Sequence, residues 1–286
     1  MKFVGLPEIL GGCVGQDLAV AGFDTVNLEI TQAILEGAQA EQAPVIVMLL
    51  PAHTHLEDMP GLVAGITAEA DKVSIPIALL LDHATSLEQV IAGIRLGCSA
   101  VMFDASSQPL HENIALTRQV VQVAHAVGVS VEAELGHVGG GDESGVHASV
   151  RSVLTRVEEA QRFVAETGVD ALAVSIGTAH GPYITQPELD FERLKQLREE
   201  LDLPLALHGG SGLSDEDTRR LIELGIDKIN VWTDISVAYM SAVKSKLTNP
   251  AARFPLHDVL EAGRSAVAQV VREKLRLFGS SGKAFP

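Results

Sequence analysis

Three histidines, each placed at the end of an apolar run, are the residues of this chain best suited to chemistry. His83 stands in Leu81-Asp82-His83-Ala84, and both His180 and His208 are followed by glycine. Imidazoles at the ends of buried strands can bind a metal ion while leaving one coordination position open for substrate. A hydrogen-bonded structural role is the better explanation for any one of them. Because three occur at comparable places, we favour a metal site.

Carboxylates accompany the histidines. Glu134 ends a further apolar run and offers a fourth or exchanging oxygen ligand. Imidazole nitrogens with one carboxylate suit Zn²⁺, with Co²⁺ or Mn²⁺ as alternatives. Asp82 precedes His83 and would point to the opposite face of a strand unless the chain bends there. It therefore either orients an imidazole or serves as a proton donor and acceptor.

Glycine-rich turns follow two of the same runs, at Gly177–Gly181 and at His208–Gly212. Glycine permits a close backbone approach and a positive φ, so that successive N–H groups can converge on an anion. Thr233, just beyond Asn230, adds a hydroxyl. Ordinary tight turns would explain either segment alone, but beside the histidines we predict a phosphate site.

Eight short apolar segments are predicted strands, separated by segments with helical spacing. They are Leu18–Phe23, Pro44–Leu50, Ile77–Leu81, Ala100–Phe103, Ser130–Leu135, Ala171–Ile176, Leu203–Leu207 and Lys228–Val231. Eight strand–helix repeats predict an α/β fold, a single (β/α)₈ TIM barrel over residues 1–286, with an extra helical segment after Leu247. A doubly wound open sheet is the alternative, but the glycine fingerprint after its first strand is missing.

Composition limits the partners. The 286 residues contain 37 acidic and 21 basic side chains, a net charge of -16 that repels nucleic acid and anionic membranes. A small phosphorylated substrate remains compatible, because local backbone dipoles can bind it. Two cysteines, no leader-like N-terminus and no apolar run of about 20 residues predict a cytoplasmic protein with no membrane partner.

The longest polar interruption is Gly136–Ala148, which carries Asp142, Glu143 and His147. A loop of this length within a barrel is more often functional than incidental, and we expect it to act as a lid.

Five motifs, in this order, resemble the class II, zinc-dependent ketose-bisphosphate aldolases, a family that includes fructose- and tagatose-bisphosphate aldolases. The motifs are Leu81-Asp82-His83, Val131-Glu132-Ala133-Glu134-Leu135-Gly136, Gly177-Thr178-Ala179-His180-Gly181, Leu207-His208-Gly209-Gly210-Ser211-Gly212 and Lys228-Ile229-Asn230-Val231. The resemblance extends from about Leu18 to Ala284. It implies a (β/α)₈ barrel that cleaves a phosphorylated ketose reversibly to dihydroxyacetone phosphate and an aldehyde.

The resemblance also implies roles. The metal would be held by His83, His180 and His208, with Glu134 close to it. Asp82 would act on the aldehyde oxygen, and the Asn230 amide would steady the enediolate. Dihydroxyacetone phosphate would be bound by Gly181, Gly209, Gly210, Ser211, Asn230, Val231, Trp232 and Thr233.

Three further expectations come from the same resemblance. The loop base that removes the α-proton aligns with Asp142, where relatives carry Glu, and the adjacent Glu143 is the alternative. A monovalent cation, Na⁺ or K⁺, is expected near the carbonyls of the Gly181 and Gly209 loops. A homodimer or a homotetramer is expected.

The chain departs from its relatives where they bind a second, distal phosphate. Asp24 replaces an Asn, Leu50 replaces a Ser or Thr, and an Asp-Pro-Arg aligns with Phe254-Pro255-Leu256. We therefore expect an aldehyde that is uncharged, in a pocket beside Asp24 and Leu50, or one anchored by Arg253 or His53. Trp232 would narrow this pocket or stack on a sugar.

Three alternative functions stay open. The first is an ordinary fructose- or tagatose-1,6-bisphosphate aldolase in which these positions have drifted. The second is a zinc hydrolase, since His53 and His55 form a His-x-His pair. The third is a non-catalytic partner subunit of an aldolase, against which the intact Asp82 and histidines argue.

Overall fold

Eight parallel strands form a closed barrel in the computed structural model, which describes residues 3–140, 153–248 and 255–284. The strands are β1 Val20–Asp24, β2 Val45–Leu49, β3 Ile77–Ala84, β4 Ala100–Phe103, β5 Ser130–Leu135, β6 Ala171–Val174, β7 Leu205–Leu207 and β8 Lys228–Val231. Each strand pairs with the next along the chain, and β8 pairs with β1 to close the ring. The predicted (β/α)₈ architecture is therefore confirmed.

Helices surround the barrel. Those described are α1 Leu6–Leu10, α2 Leu28–Glu41, α3 Met59–Ala70, α4 Leu87–Leu96, α5 Leu110–His125, α6 Val157–Thr167, α7 Phe191–Glu200, α8 Asp215–Glu223, α9 Thr233–Leu247 and α10 Leu256–Leu277. The long α10 is the expected C-terminal addition and packs against α2 and α9. Within the described ranges, no helix is long and apolar enough to span a bilayer.

Local sequence explains where several helices begin. The Ser86 side chain accepts a hydrogen bond from the Gln89 backbone N–H, and the Ser214 side chain accepts one from Asp217. Such caps satisfy backbone donors that the first turn of a helix leaves without partners. They fix the points at which the chain leaves the ends of β3 and β7, and hence the positions of the residues just before them.

The amino end of the barrel is closed by the short helix α1. Its Leu6 and Leu10 are fully buried and belong to one apolar cluster with Ile46 and Leu80 from the barrel interior. The Leu6 backbone N–H donates to the Ser130 hydroxyl at 2.9 Å. With this end filled by apolar side chains, the polar residues at the carboxyl ends of the strands face the open end.

Candidate active site

An irregularity at the end of β3 directs two neighbouring polar side chains into one cavity. The pairing with β4 shifts register between Leu81 and Ala84, and His83 has a left-handed φ of 46°. In a regular strand, adjacent side chains point to opposite faces. Here Asp82 and His83 both line the cavity, with Asp82 Oδ2 3.9 Å from His83 Nε2. The chain therefore bends at the end of β3, which was the condition for Asp82 and His83 to face the same side.

The three histidines converge. Their ring centroids are 5.1 Å apart for His83 and His180, 4.7 Å for His83 and His208, and 5.9 Å for His180 and His208. One nitrogen from each lies within 4.8 Å of the others. Burial, and then the neighbouring His83 and His208, lower the pKa of His180 well below its usual value. A neutral imidazole keeps the lone pair that a metal requires, and three ring nitrogens this close together can hold one divalent ion.

Asp104 determines which nitrogen of His83 faces the cavity. His83 Nδ1 lies 3.0 Å from Asp104 Oδ2, and the other Asp104 oxygen accepts the Ser106 backbone N–H at 2.9 Å. Burial alone would raise the pKa of Asp104, but the hydrogen bonds from His83 and Ser106 lower it below its usual range. An ionised Asp104 therefore keeps the proton on Nδ1 and leaves Nε2 free to bind a metal.

His208 lies between two glutamates. Its Nδ1 is 3.0 Å from Glu134 Oε2, and its Nε2 is 2.9 Å from Glu132 Oε1. Burial lowers the pKa of His208, but these two carboxylates outweigh it and raise the pKa to about 10. Glu134 also accepts the Val138 backbone N–H at 2.9 Å. It forms a second group of possible ligands with His83 and Asp104, which agrees with its expected place near the metal.

Glu132 and Lys228 were missed as functional candidates by the sequence reasoning. Both side chains are fully buried, and Lys228 Nζ lies 2.9 and 2.7 Å from the two Glu132 oxygens. Burial raises the pKa of Glu132, but Lys228 and His208 together lower it to about 2. The available signal was a charged residue in the interior or at the start of a predicted buried strand, because such residues are seldom buried unless paired.

The two glycine loops are tied together beside the histidines. Tyr183 Oη accepts the Ala179 backbone N–H at 2.9 Å and donates to the Gly209 carbonyl at 2.8 Å. Gly209 has a φ of 68°, and a Cβ on it would lie 2.3 Å from the Ala179 oxygen. Only glycine allows this approach of the two backbones. The contact brings the backbone N–H groups after β6 and β7 to one side of the cavity.

The remaining predicted substrate residues surround a cavity of about 480 Å³. Those that line it are Gly181, Gly209, Ser211, Asn230, Trp232 and Thr233. Gly210 and Val231 are adjacent in the chain but are not among the lining residues. Asn230 is 8 % exposed, and its side-chain Oδ1 has no hydrogen-bond partner. An unpaired buried amide oxygen at a cavity wall is a position where a ligand can supply the missing bond.

A different chemistry lines the other part of the cavity. Asp24 is 4 % exposed and its Oδ1 has no hydrogen-bond partner, while Leu50 and Ala52 add apolar surface. Burial, and then the charge of Asp82, raise the pKa of Asp24 well above its usual value. The rings of His53 and Trp232 lie 4.9 Å apart at 36°. Asp24, Leu50 and Trp232 thus line the same cavity.

Some predicted residues are not brought to this site or cannot be placed. His53 lines the cavity but His55 does not, so the His-x-His pair expected of a zinc hydrolase does not converge. Leu256 is 72 % exposed at the start of α10. The remaining predicted residues lie outside the described ranges. These are Asp142, Glu143, His147, Arg253 and Phe254.

The described ends of the expected lid are held close to the site. An antiparallel bridge joins His137 to Val153, with two hydrogen bonds of 2.8 Å. The two-residue strand Gly139–Gly140 pairs with Ala179–His180. The residues that flank the segment with the predicted loop base are therefore anchored at His180 on one side and at His137 on the other.

A parallel barrel with three convergent imidazoles, carboxylates and glycine loops at its carboxyl end defines a class of metal-dependent barrel enzymes. Within that class, the chain belongs to the family of class II fructose-bisphosphate aldolases, whose model matches residues 4–283. The resemblance seen in the five motifs is confirmed, and the chain is an aldehyde-lyase of class II, a family that acts on phosphorylated sugars.

Individual relatives match over nearly the whole chain. The fructose-bisphosphate aldolase of Geobacillus stearothermophilus is 38 % identical, with 99 % of each chain covered. The solved structure of the YdjI aldolase from Escherichia coli K12 has a TM-score of 0.85 and 33 % identity, covering 99 % of this chain and 100 % of its own. A candidate fructose-1,6-bisphosphate aldolase structure from Coccidioides immitis has a TM-score of 0.89 and 30 % identity, covering 99 % of each chain.

Proposed function

We propose that this aldolase reversibly cleaves a ketose 1-phosphate to dihydroxyacetone phosphate and an uncharged hydroxyaldehyde. Family membership supplies the aldol reaction and the phosphorylated sugar. The observation that carries the finer proposal is the buried Asp24 carboxyl, which faces the cavity together with Leu50 where relatives bind a second phosphate. The alternative is an ordinary 1,6-bisphosphate aldolase.

The proposed cofactor is one Zn²⁺ per chain, held by His83, His180 and His208. Glu134 is the proposed fourth or exchanging ligand, since it lies 3.0 Å from His208. Zinc would act as a Lewis acid on the ketone carbonyl. Co²⁺ and Mn²⁺ suit the same nitrogen donors and stay as alternatives.

Asp82 is proposed as the acid and base for the aldehyde oxygen. The residue is 2 % exposed, it lines the cavity, and its Oδ1 has no hydrogen-bond partner. A hydroxyl or carbonyl oxygen of the substrate can supply that partner and exchange a proton with it as the carbon–carbon bond breaks or forms. Asn230, with a free Oδ1 at the same cavity, is proposed to bind the dihydroxyacetone half. Asp142 or Glu143 is the proposed base for the α-proton.

The phosphate of dihydroxyacetone phosphate is proposed to bind at the tied glycine loops, at Gly181, Gly209, Gly210 and Ser211 and at the segment Val231–Thr233. The start of α9 adds favourable backbone N–H groups. A Na⁺ or K⁺ ion is proposed beside the loop carbonyls, where Tyr183 already binds that of Gly209.

We also retain three expectations as proposals. The first is a single catalytic domain over residues 1–286, and the second is a homodimer or homotetramer. The third is a cytoplasmic location, which fits two buried free thiols, Cys13 and Cys98, whose pKa values burial raises to about 12.

The distal half of the cavity determines the aldehyde in this proposal. An ionised Asp24 repels a phosphate, and a protonated Asp24 offers it one donor; Leu50 offers none. A sugar hydroxyl both donates and accepts, so it can pair with either form of the carboxyl. The apolar faces of Leu50 and Trp232 can pack against the carbon chain. A neutral polyol aldehyde therefore fits better than a phosphorylated one.

The test compares kcat/KM for fructose 1-phosphate and fructose 1,6-bisphosphate in the zinc-loaded enzyme. We expect the 1-phosphate to be cleaved at least tenfold more efficiently, and Asp24→Asn with Leu50→Ser to shift the ratio toward the bisphosphate. Asp17→Asn, at an exposed position, is the control. Bisphosphate cleavage near 10⁴ M⁻¹s⁻¹ or above would instead favour the ordinary aldolase, since efficiencies of about this size are usual for enzymes on their own substrates.

A further inference from the structure

A buried ion pair lies behind the metal site rather than in it. Glu132 on β5 and Lys228 on β8 project inside the barrel, and both side chains have no exposed surface. Neither residue is among those that line the cavity. Their described contacts are with each other and with His208, whose Nε2 lies 2.9 Å from Glu132 Oε1. Among the described residues, the pair therefore lies behind the cavity wall and contacts the site through His208.

Burying such a pair costs desolvation free energy, so its presence suggests a role that two apolar side chains could not fill. Moving a carboxylate and an ammonium out of water costs several kcal/mol for each ion, and well-packed apolar side chains of similar volume are often as stable or more so. Other side chains inside the barrel, such as Ile46, Leu80 and Met102, are buried and apolar. A barrel interior filled by apolar side chains would be the simpler solution for packing alone.

The contact with His208 provides the missing reason. A neutral imidazole carries its proton on one nitrogen and a lone pair on the other, and the hydrogen bond at one nitrogen decides which. Glu132 has no donor when ionised, so His208 Nε2 must carry the proton. Nδ1, which lies 3.0 Å from Glu134 Oε2, is then the nitrogen left for a metal, and the ion would displace any proton that Nδ1 shares with Glu134.

Lys228 completes the arrangement. It binds both Glu132 oxygens, at 2.9 and 2.7 Å, which holds the carboxylate ionised and fixes its orientation toward the ring. In His83 the roles of the two ring nitrogens are reversed. Asp104 binds its Nδ1 and leaves Nε2 for the ion. The two histidines therefore need different carboxylates in different places.

We propose that Glu132 and Lys228 act as one positioning unit that fixes His208 with Nδ1 toward the metal. Loss of either member should weaken metal binding about 10- to 100-fold, the usual effect of removing a hydrogen-bond partner of a metal-binding histidine. The loss should come without any change in the residues that touch substrate.

The experiment measures the Zn²⁺ affinity of the full chain by competition with a chromophoric chelator, and the visible spectrum of the Co²⁺-loaded protein. Variants are Glu132→Gln, Lys228→Met and the two combined. We expect each single variant to lose about 10- to 100-fold in affinity and to alter the Co²⁺ bands. The double variant should lose about as much as one single variant, because residues acting through one contact are not additive.

Asp227→Asn is the matched control, since Asp227 is a buried carboxyl that pairs with Arg198 at 3.1 Å and lies next to Lys228 without contacting His208. It should lower the melting temperature but keep the wild-type metal affinity. If Lys228→Met does not fold, Glu132→Gln and the double variant, in which both charges are removed, still test the proposal. Wild-type affinity and an unchanged Co²⁺ spectrum in these variants would overturn the proposal and leave a packing role only. No substrate is present in these measurements, so their failure is distinct from that of the proposed reaction.

Discussion

At the scale of single residues, the site depends on His83 adopting a backbone conformation that non-glycine residues seldom take. Its φ of 46° costs about 1 to 2 kcal/mol relative to a regular strand. The hydrogen bond to the charged Asp104 can offset this cost, since such bonds contribute about 1.5 to 3 kcal/mol. The conformation lets Asp82 and His83, although adjacent, reach the same cavity, where we propose separate tasks for them.

That separation leads to a prediction for Asp82→Asn. If Asp82 serves only the aldehyde oxygen, kcat/KM for cleavage should fall about 10²- to 10⁴-fold, the range of general acid–base catalysis. Solvent exchange of the α-proton of dihydroxyacetone phosphate should persist, because the proposed base for that proton is a different carboxylate, Asp142 or Glu143. NMR in D₂O measures the exchange directly. Equal loss of exchange and cleavage would show that Asp82 acts instead by orienting the metal site.

At the scale of elements, apolar runs predicted every barrel strand, and the bounds of β4, β5 and β8 agree with the prediction. The prediction ended β3 at Leu81 because polar residues follow, whereas the strand continues to Ala84. The five-residue helix α1 was missed, since it is too short to show a helical period. Motif residues at strand ends identified the histidines. The Glu132–Lys228 pair was not found. Strands β5 and β8 are not neighbours in the sheet, and their side chains meet only because the barrel is closed.

The contact of α10 with α9 leads to a second prediction. Lys274 Nζ lies 2.6 Å from Asp234 Oδ2, and Asp234 also accepts the Gly212 backbone N–H at 3.3 Å. Asp234 donates its own N–H to the Ser211 hydroxyl at 3.3 Å. The C-terminal helix thus supports the loop proposed to bind phosphate.

Lys274→Met should therefore raise KM for the phosphorylated substrate while leaving kcat nearly unchanged. Ion pairs of this kind contribute up to about 1 kcal/mol, which corresponds to roughly a fivefold change in KM. Steady-state kinetics with the zinc-loaded enzyme give both constants. Lys246→Met removes an exposed lysine from α9 and should change neither. A fall in kcat alone would contradict a role through the phosphate loop.

At the scale of the whole molecule, closing the barrel brings side chains from distant parts of the chain to one end. The amino end is filled by α1, and the ring of helices is completed by α10 between α2 and α9. The polar site therefore opens on one side only. We expect the positions of its side chains to depend on how firmly α10 is attached to α2.

Glu41 at the end of α2 makes that attachment. Its Oε1 lies 2.9 Å from Arg272 Nε and 2.7 Å from Arg276 Nη2, and its Oε2 accepts the Ser281 hydroxyl at 2.8 Å. Its backbone oxygen accepts the Gly282 N–H at 2.8 Å. Hydrogen bonds from Arg276, and then from Arg272 and Ser281, outweigh burial and lower the pKa of Glu41 to about 2. The folded state therefore stabilises the ionised form of Glu41 relative to the unfolded chain.

Glu41→Gln should consequently destabilise the protein at neutral pH, by about 3 to 6 °C in melting temperature if the charged hydrogen bonds contribute about 1.5 to 3 kcal/mol. Because the pKa is lowered in the folded state, the wild-type advantage is complete above the unfolded pKa of about 4.5 and is lost as pH falls from there toward 2. Thermal unfolding followed by circular dichroism from pH 7 to pH 3.5 should show the difference between the two proteins constant above pH 5 and narrowing below 4.5. Glu166→Gln, which breaks an exposed pair with Arg162, should stay close to wild type throughout. If the difference in melting temperature does not narrow in acid, Glu41 stabilises the protein through packing rather than through its charge.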